Sequence, residues 1–429
     1  MREAVASLIT FASTAHLPAR PELDLEPPAP LPVLPAPGAD LVALRQARRA
    51  QQRKAIVALQ QWWLDRMIAT PAPLQEKMTL FWHGHFTTAA IQKGVTPAEV
   101  FTQNNLFRSY ALGNARELTQ RVAVDPAMLR YLDNLHNEAA HPNENFAREL
   151  MELYTLGIGN YTEIDVREAA RAWTGLRVRR ATGDVFLNAR LHDAGAKTFL
   201  GRTGNFAGPD IVTIIFEQPA AARFFAAKLL TFFVYSDPEP ELVDGVAALL
   251  RTNDFVLEPV LAALFSSNVF YSTRAYRALV KSPVEFVVGS YRCFGAQQAD
   301  PTAPAALRRM TQMLFYPPNV KGWPGGSAWL NSSSVLAREN FAHALVTGAT
   351  EFANASWLSA PPPDARTAAA TIVDALVQGD ASPAARTRLE AYLDGSDSET
   401  LAALTPENME ARMRGGAYLT MAMPAYQLA

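Results

Sequence analysis

The sequence predicts a mainly α-helical fold, one large multi-helix domain carrying a single small β-hairpin. Three observations predict it. Apolar residues recur at helical spacing through most of the chain beyond residue 39. Strict alternation is confined to 176–192. No repeat of fixed period is present. With 49% hydrophobic and 19% charged residues over 429 positions, the chain readily fills such a core.

Residues 1–39 read as an N-terminal segment. Its stretch 18–38 is packed with Pro, which excludes helix and central strand and leaves a polyproline-like strap. One helical domain then covers 40–429, with a subdomain break near 350–365 at "SAPPPDA". Its first helix runs from about Asp40 to Met67, bears the basic run "RQARRAQQRK" and carries the buried-looking pair Trp62 and Trp63. After the "TPAP" break, Thr70 is placed to cap a second helix with Pro71 at its first position, ending near Gly84. Further helices are expected at 97–112, 113–123 and 125–136, and most of 141–157 reads as one more. Thr162 caps the next, with Asp165 in the place of a capping-box acid.

Alternating residues around "ATGD" predict the hairpin within 176–192, and "GAKTFLGRTGNFAGPD" reads as a Gly-rich loop. Its glycines lack phosphate-loop spacing, so a nucleotide reading is rejected. From about Pro209 to Gly295 the chain is helical again, and 315–334 is an ordered loop rich in Pro, Gly and Trp. Ser332, Ser333 and Ser334 follow Asn331 and cap the helix "VLARENFAHAL".

Several function classes are disfavoured. The net charge of −2 leaves no electrostatic footprint for nucleic acid, and "RVRR" at 177–180 is too short to change that. Cys293 is the only cysteine, so no internal disulfide and no thiolate zinc cluster forms; it reads as a small buried residue rather than a nucleophile. No apolar run is long enough for a transmembrane segment. The start, "MREAVASLITFASTAHLPA", makes a poor signal peptide because Glu3 and interrupting Ser and Thr break its pattern, which favours the cytoplasm. There is no GxSxG, no HExxH and no twofold ExxH.

Six segments in order, "LQEKMTLFWHGHF", "DPAMLRYLDN", "HPNENFARELMELYTLGIGNYTEIDVREAARAWTG", "HDAGAKTFLG", "VKSPVEFVV" and "FYPPNVKGWPGGSAWLN", resemble a bacterial family of uncharacterised proteins, domain of unknown function 1800. The resemblance covers about residue 40 to the end. It implies no reaction. It does imply a partner, a protein of a neighbouring uncharacterised family resembling exported sulfatases or phosphatases, and with it export.

The polar stripe of 143–152 is the centre of the functional question. On a helical wheel Asn145, Arg148, Glu149 and Glu152 share an arc of about 100°. The ordinary reading is a wet face with Glu144–Arg148 and Arg148–Glu152 pairs, each worth about 0.2–0.5 kcal/mol. The functional reading turns the stripe inward, and Leu156 within the same arc favours it. Two readings of the molecule follow. In the first it is an enzyme with Glu149, Glu152, His192 and Asp193 as acid–base groups or ligands, Asp193 orienting His192. Asn145 and Arg148 would hold an anionic or carbonyl-bearing substrate, and Lys321 and Trp323 would close over it. His83 and His85, freed from the helix at Gly84, would bind a divalent metal such as Zn, Fe or Mn, with His141, Asn143 and Lys197 as neighbouring polar groups; hydrolysis is the reaction class. In the second reading the same residues form a buried network in a non-catalytic helical scaffold that binds the neighbouring-family protein.

Overall fold

Among the described residues, eight helices begin on proline, at Pro73, Pro97, Pro126, Pro219, Pro240, Pro283, Pro383 and Pro424. Proline lacks the N–H that a first helical turn leaves unpaired, and its φ is already helical, so this punctuation cuts the chain into short helices. A computed structural model describes residues 2–9, 41–179, 182–348, 355, 357, 362–396, 405 and 407–429. Among them are nineteen α-helices and two antiparallel two-stranded sheets, so the fold is mainly α. The Pro-rich strap, Arg180 and most of the proposed break at 350–365 lie outside the described residues. No described helix is long and apolar enough to cross a membrane.

Several boundaries differ from the sequence reading. The second helix starts two residues later, with Ala72 at its cap and Pro73 first, and it continues through Gly84 to His85. The expected helix at 125–136 is Pro126–Tyr131 followed by a 3-10 turn at Asn134–His136. The predicted hairpin is present, with Leu176 opposite Leu187 and Val178 opposite Val185. A second hairpin, Lys197–Phe199 with Arg202–Gly204, occupies the stretch expected to be loop. Its turn puts Leu200 and Gly201 at φ 45° and 78°. Two left-handed residues make the hairpin turn usually signalled by Asn-Gly, and Leu at the first place hides it. Asn331, not a serine, caps Ser332–Thr347, while the Ser334 hydroxyl accepts the Asn331 N–H in return.

The described chain forms two compact units, Met1–Gln60 with Pro71–Ser272 and Leu314–Trp323, and Gln61–Thr70 with Thr273–Met313 and Pro324–Ala429. The first is built on aromatic packing. Trp82 stacks on Phe86 at 5.6 Å, Phe86 meets Tyr154 edge-on at 5.4 Å, and Phe146 meets Trp173 at 5.3 Å. All five are buried, and side chains of this size contribute about 1.5–3 kcal/mol each. The buried Arg108 guanidinium, donating to both Glu76 oxygens at 2.7 and 3.0 Å, ties Pro97–Ser109 to Pro73–His85.

Arginines hold the second unit together by donating to carbonyls at helix C-termini, where the unpaired C=O groups concentrate negative partial charge. Arg292 reaches Met67, Ile68 and Thr70 at the end of Leu41–Ala69. Arg277 reaches Val377, Arg412 reaches Tyr392, and Arg414 reaches Val346 and Gly348. The chain end is pinned in the same unit, where Leu279 and Ala429 exchange backbone hydrogen bonds and the Tyr426 hydroxyl meets Ser290 at 2.7 Å.

Candidate functional site

The stripe of interest lies on a helix shorter than its sequence implies, Glu144–Glu152, capped by the Asn143 side chain accepting from the Asn145 N–H. Beyond Leu153 the backbone widens, and the Leu156 and Gly157 N–H groups both reach the Met151 carbonyl. This wider winding draws Tyr154, Thr155 and Leu156 into the core. Leu156 therefore does not belong to the polar arc, and the argument it supplied for an inward face falls. Asn145 is exposed, and Arg148, Glu149 and Glu152 are half-buried, so the wall is half-covered rather than inward-facing.

Most charges on this helix are paired. Arg148 donates to both Glu163 oxygens at 2.7 and 2.8 Å and to Glu144 at 3.1 Å. It does not pair with Glu152, whose carboxylate accepts from the Tyr161 hydroxyl at 2.9 Å. Asn145 donates to the Leu132 carbonyl at 2.9 Å. Arg148 and Asn145, expected to hold substrate, thus also tie this helix to neighbouring segments.

Glu149 differs. Among the described residues its carboxylate has no hydrogen bond and no ion pair. Burial raises its pKa above the usual carboxylate range and the Glu152 charge raises it further, against the pull of Lys321, Arg148 and Lys93. Lys321 is exposed, and its ammonium likewise makes no hydrogen bond among the described residues. Lys93, which sequence reasoning did not single out, donates to the Tyr131 carbonyl at 2.7 Å and lies 5.4 Å from that ring's centre. Its only local signal is Gly94 behind it. Lys93 itself sits at φ 48° in a strained turn. Tyr161 was missed as well, because a residue before a helix cap carries no mark of what its hydroxyl will reach.

The loop bearing Lys321 and Trp323 is seated by the segment "HGHFTT". The His83 Nε2 accepts the Phe315 N–H at 3.0 Å, the Ala90 N–H donates to the Phe315 carbonyl at 2.9 Å, and the Thr87 hydroxyl donates to the Val320 carbonyl at 2.5 Å. Trp323 stands 5.5 Å from the His83 ring.

His83 and His85, expected to share a metal, do not converge. The helix runs through Gly84, so the two rings diverge by about 200°. His83 faces Phe315 and Trp323, whereas His85 packs against Phe86, Tyr154 and Phe225. The His85 Nε2–H donates to the Tyr154 carbonyl at 3.0 Å. Burial lowers both pKa values to about 3, with the Lys228 charge adding to the effect at His85, so both rings are neutral at ordinary pH. Among the described residues no three His, Cys, Asp or Glu side chains converge as metal ligands.

His192 and Asp193 belong elsewhere. The Asp193 carboxylate accepts from Arg171 at 2.7 Å and from the Gly195 N–H, not from His192. The His192 Nδ1–H donates to the Thr174 carbonyl at 2.9 Å. Buried Lys197 donates to the carbonyls of Asp193 and Gly195. Arg171 lies in the last turn of Glu163–Ala172, and Arg148 binds its first residue. The four proposed acid–base residues are thus split between opposite ends of one helix. His141 is exposed, and half-buried Cys293 has its thiol pKa raised by burial.

Asp125 positions Lys93 indirectly, since its side chain caps Pro126–Tyr131 by accepting the Met128 N–H and also accepts from Gln103 at 2.8 Å. Burial, opposed by the Met128 N–H and reinforced by Glu99, lifts its pKa to about 7. The folded state then holds an extra proton between the unfolded value of 3.8 and about 7, and stability falls as pH rises through that window. In urea titrations at the two ends of this range, wild type should lose a few kcal/mol relative to Asp125→Asn. Parallel pH profiles would show that Asp125 ionises freely when folded.

A family model described as "protein of unknown function (DUF1800)" matches residues 3–428. No curated protein and no solved structure matches the chain.

Proposed function

Because the chain belongs to this family of unknown function, membership brings no reaction with it, and we propose from the geometry that the Glu149 face is an acid–base site. The observation that carries the reading is the half-buried, unpaired Glu149 carboxylate on a helix whose other charges all have partners. Such a group, its proton held more tightly than that of an exposed carboxylate, suits proton transfer. Lys321 and Lys93 supply positive charge for an anionic or carbonyl-bearing group. Glu152, tethered by Tyr161, keeps the Glu149 proton affinity high. Hydrolysis fits this set, with Glu149 taking the proton of an attacking water. The histidines seat the Lys321 loop and the Tyr154 backbone in this reading, and no step passes through a metal at His83 and His85.

Glu149→Gln tests it. The substitution removes an unpaired, partly desolvated charge beside Glu152, so the melting temperature should hold or rise. A hydrolytic activity found by screening carboxyl, phosphate and sulfate esters should drop by about a hundredfold or more. Full activity in the variant would refute the assignment.

The Arg148–Glu163 and Arg171–Asp193 clamps favour a second reading, a scaffold that binds the exported sulfatase- or phosphatase-like neighbour implied by the family resemblance. On that reading Glu149 is part of the supporting network, and Glu149→Gln lowers the melting temperature.

A further inference from the structure

The first half of the helix Leu41–Ala69 is largely exposed. From Val42 to Lys54 all residues are exposed except half-buried Arg48 and Gln52. This stretch bears Arg45, Arg48, Arg49, Arg53 and Lys54, and no acidic residue occurs between Leu41 and Leu64. None of the five cations makes a hydrogen bond or ion pair among the described residues. Four of them, Arg45, Arg48, Arg49 and Arg53, share an arc of about 140° over about 12 Å of helix. Ala43, Ala47 and Ala50 lie opposite.

Ala, Arg, Gln and Lys are strong helix formers, which favours helix in a stretch that buries little. Its charges work against it, since Arg45–Arg49 and Arg49–Arg53 are like-charge pairs one turn apart. A bound anion removes that repulsion. Three anionic surfaces are candidates, and two fit poorly. A membrane-bound helix needs a broad face of large apolar residues, whereas three alanines and Lys54 lie opposite the arginines here, with Leu44 at their flank. An extended nucleic acid would also meet the rest of the chain. The net charge is −2, so with the five cations set aside the remainder is −7 and repels a long polyanion. A short acidic helix fits the dimensions. Carboxylates one turn apart match the arginine spacing, and guanidinium forks bind carboxylates in pairs.

We propose that the Arg45–Arg53 stripe docks an acidic helical segment of a partner protein. The test is fluorescence anisotropy with the full chain at about 0.15 M salt. The probe is a labelled alanine-based helical peptide carrying Glu at every fourth position. Wild type should bind it, and a triple variant with Arg45→Gln, Arg49→Gln and Arg53→Gln should bind at least about tenfold more weakly. Gln preserves helix propensity, so circular dichroism and melting temperature should match wild type and exclude misfolding. Absent peptide binding, or equal binding by the variant, would overturn the proposal. So would tighter, arginine-dependent binding of single-stranded DNA or of phosphatidylglycerol vesicles measured alongside.

Discussion

Glu76→Gln is expected to lower the folding free energy by about 3–5 kcal/mol, a large part of the stability of an ordinary domain. The Glu76 and Arg108 side chains are 3% and 8% exposed, and they join two helices of the first unit. Arg108 also donates to Asn104 and Asn105. The substitution takes away the carboxylate charge that receives two of the guanidinium's hydrogen bonds at a buried position, which is the costly way to break such a pair. A pair of apolar residues avoids that penalty. The double variant Glu76→Leu, Arg108→Met should therefore recover more than half of the loss. Urea titrations of wild type, the single and the double variant decide it. An unchanged midpoint for Glu76→Gln would show that the pair contributes nothing net.

Gly322→Ala should be the most damaging single change in the loop that presents Lys321. Gly322 sits at φ 81°, and a Cβ there would lie 2.4 Å from the Gly84 carbonyl oxygen and 3.2 Å from the Thr87 methyl. The backbone conformation alone costs an L-residue about 1–3 kcal/mol, and the clash with a helical carbonyl cannot be relieved by a rotamer change. The loop should lift from "HGHFTT", with a fall in melting temperature and a red shift of tryptophan emission as Trp323 leaves His83. Gly325→Ala is the control. Its φ is also positive, at 71°, but nothing lies within 4 Å of the added Cβ. Equal losses in the two variants would mean that close approach to Gly84 plays no part in seating the loop.

The elements that could be read from the chain are those whose signal is local. The helical periodicity, the capping box of Thr162 with Asp165 and the hairpin around Leu176–Leu187 depend on neighbours within a few residues, and each is present. Misreadings arose where a local signal competed with packing. Gly84 looked like a helix end, yet the helix continues to His85, because both rings find buried places on opposite sides. The 141–157 segment looked like one helix, yet burial of Tyr154 and Leu156 widens the winding after Leu153. Leu200 concealed a hairpin turn, since only its pairing with strand neighbours holds a Leu at positive φ.

By itself, the sequence determined the helical class, the family and the short list of polar residues, because periodicity, punctuation and motif order survive without three-dimensional context. It could not determine which of those residues meet. Arg148 had Glu144, Glu152 and Glu163 within reach of its long side chain, and the packing of two helices adds Glu163 to Glu144 and leaves Glu152 to Tyr161. Asp193 was expected to orient His192, but Arg171 stands nearer once the Glu163–Ala172 helix is in place. Glu149 emerged as the free carboxylate by the same route. Tertiary structure gave its neighbours other partners, half-buried it beside Glu152, and brought Lys321 and Lys93 toward it from segments distant in sequence. Pairing among charges is decided by distances of a few ångströms between elements far apart in the chain, and no local pattern encodes those distances.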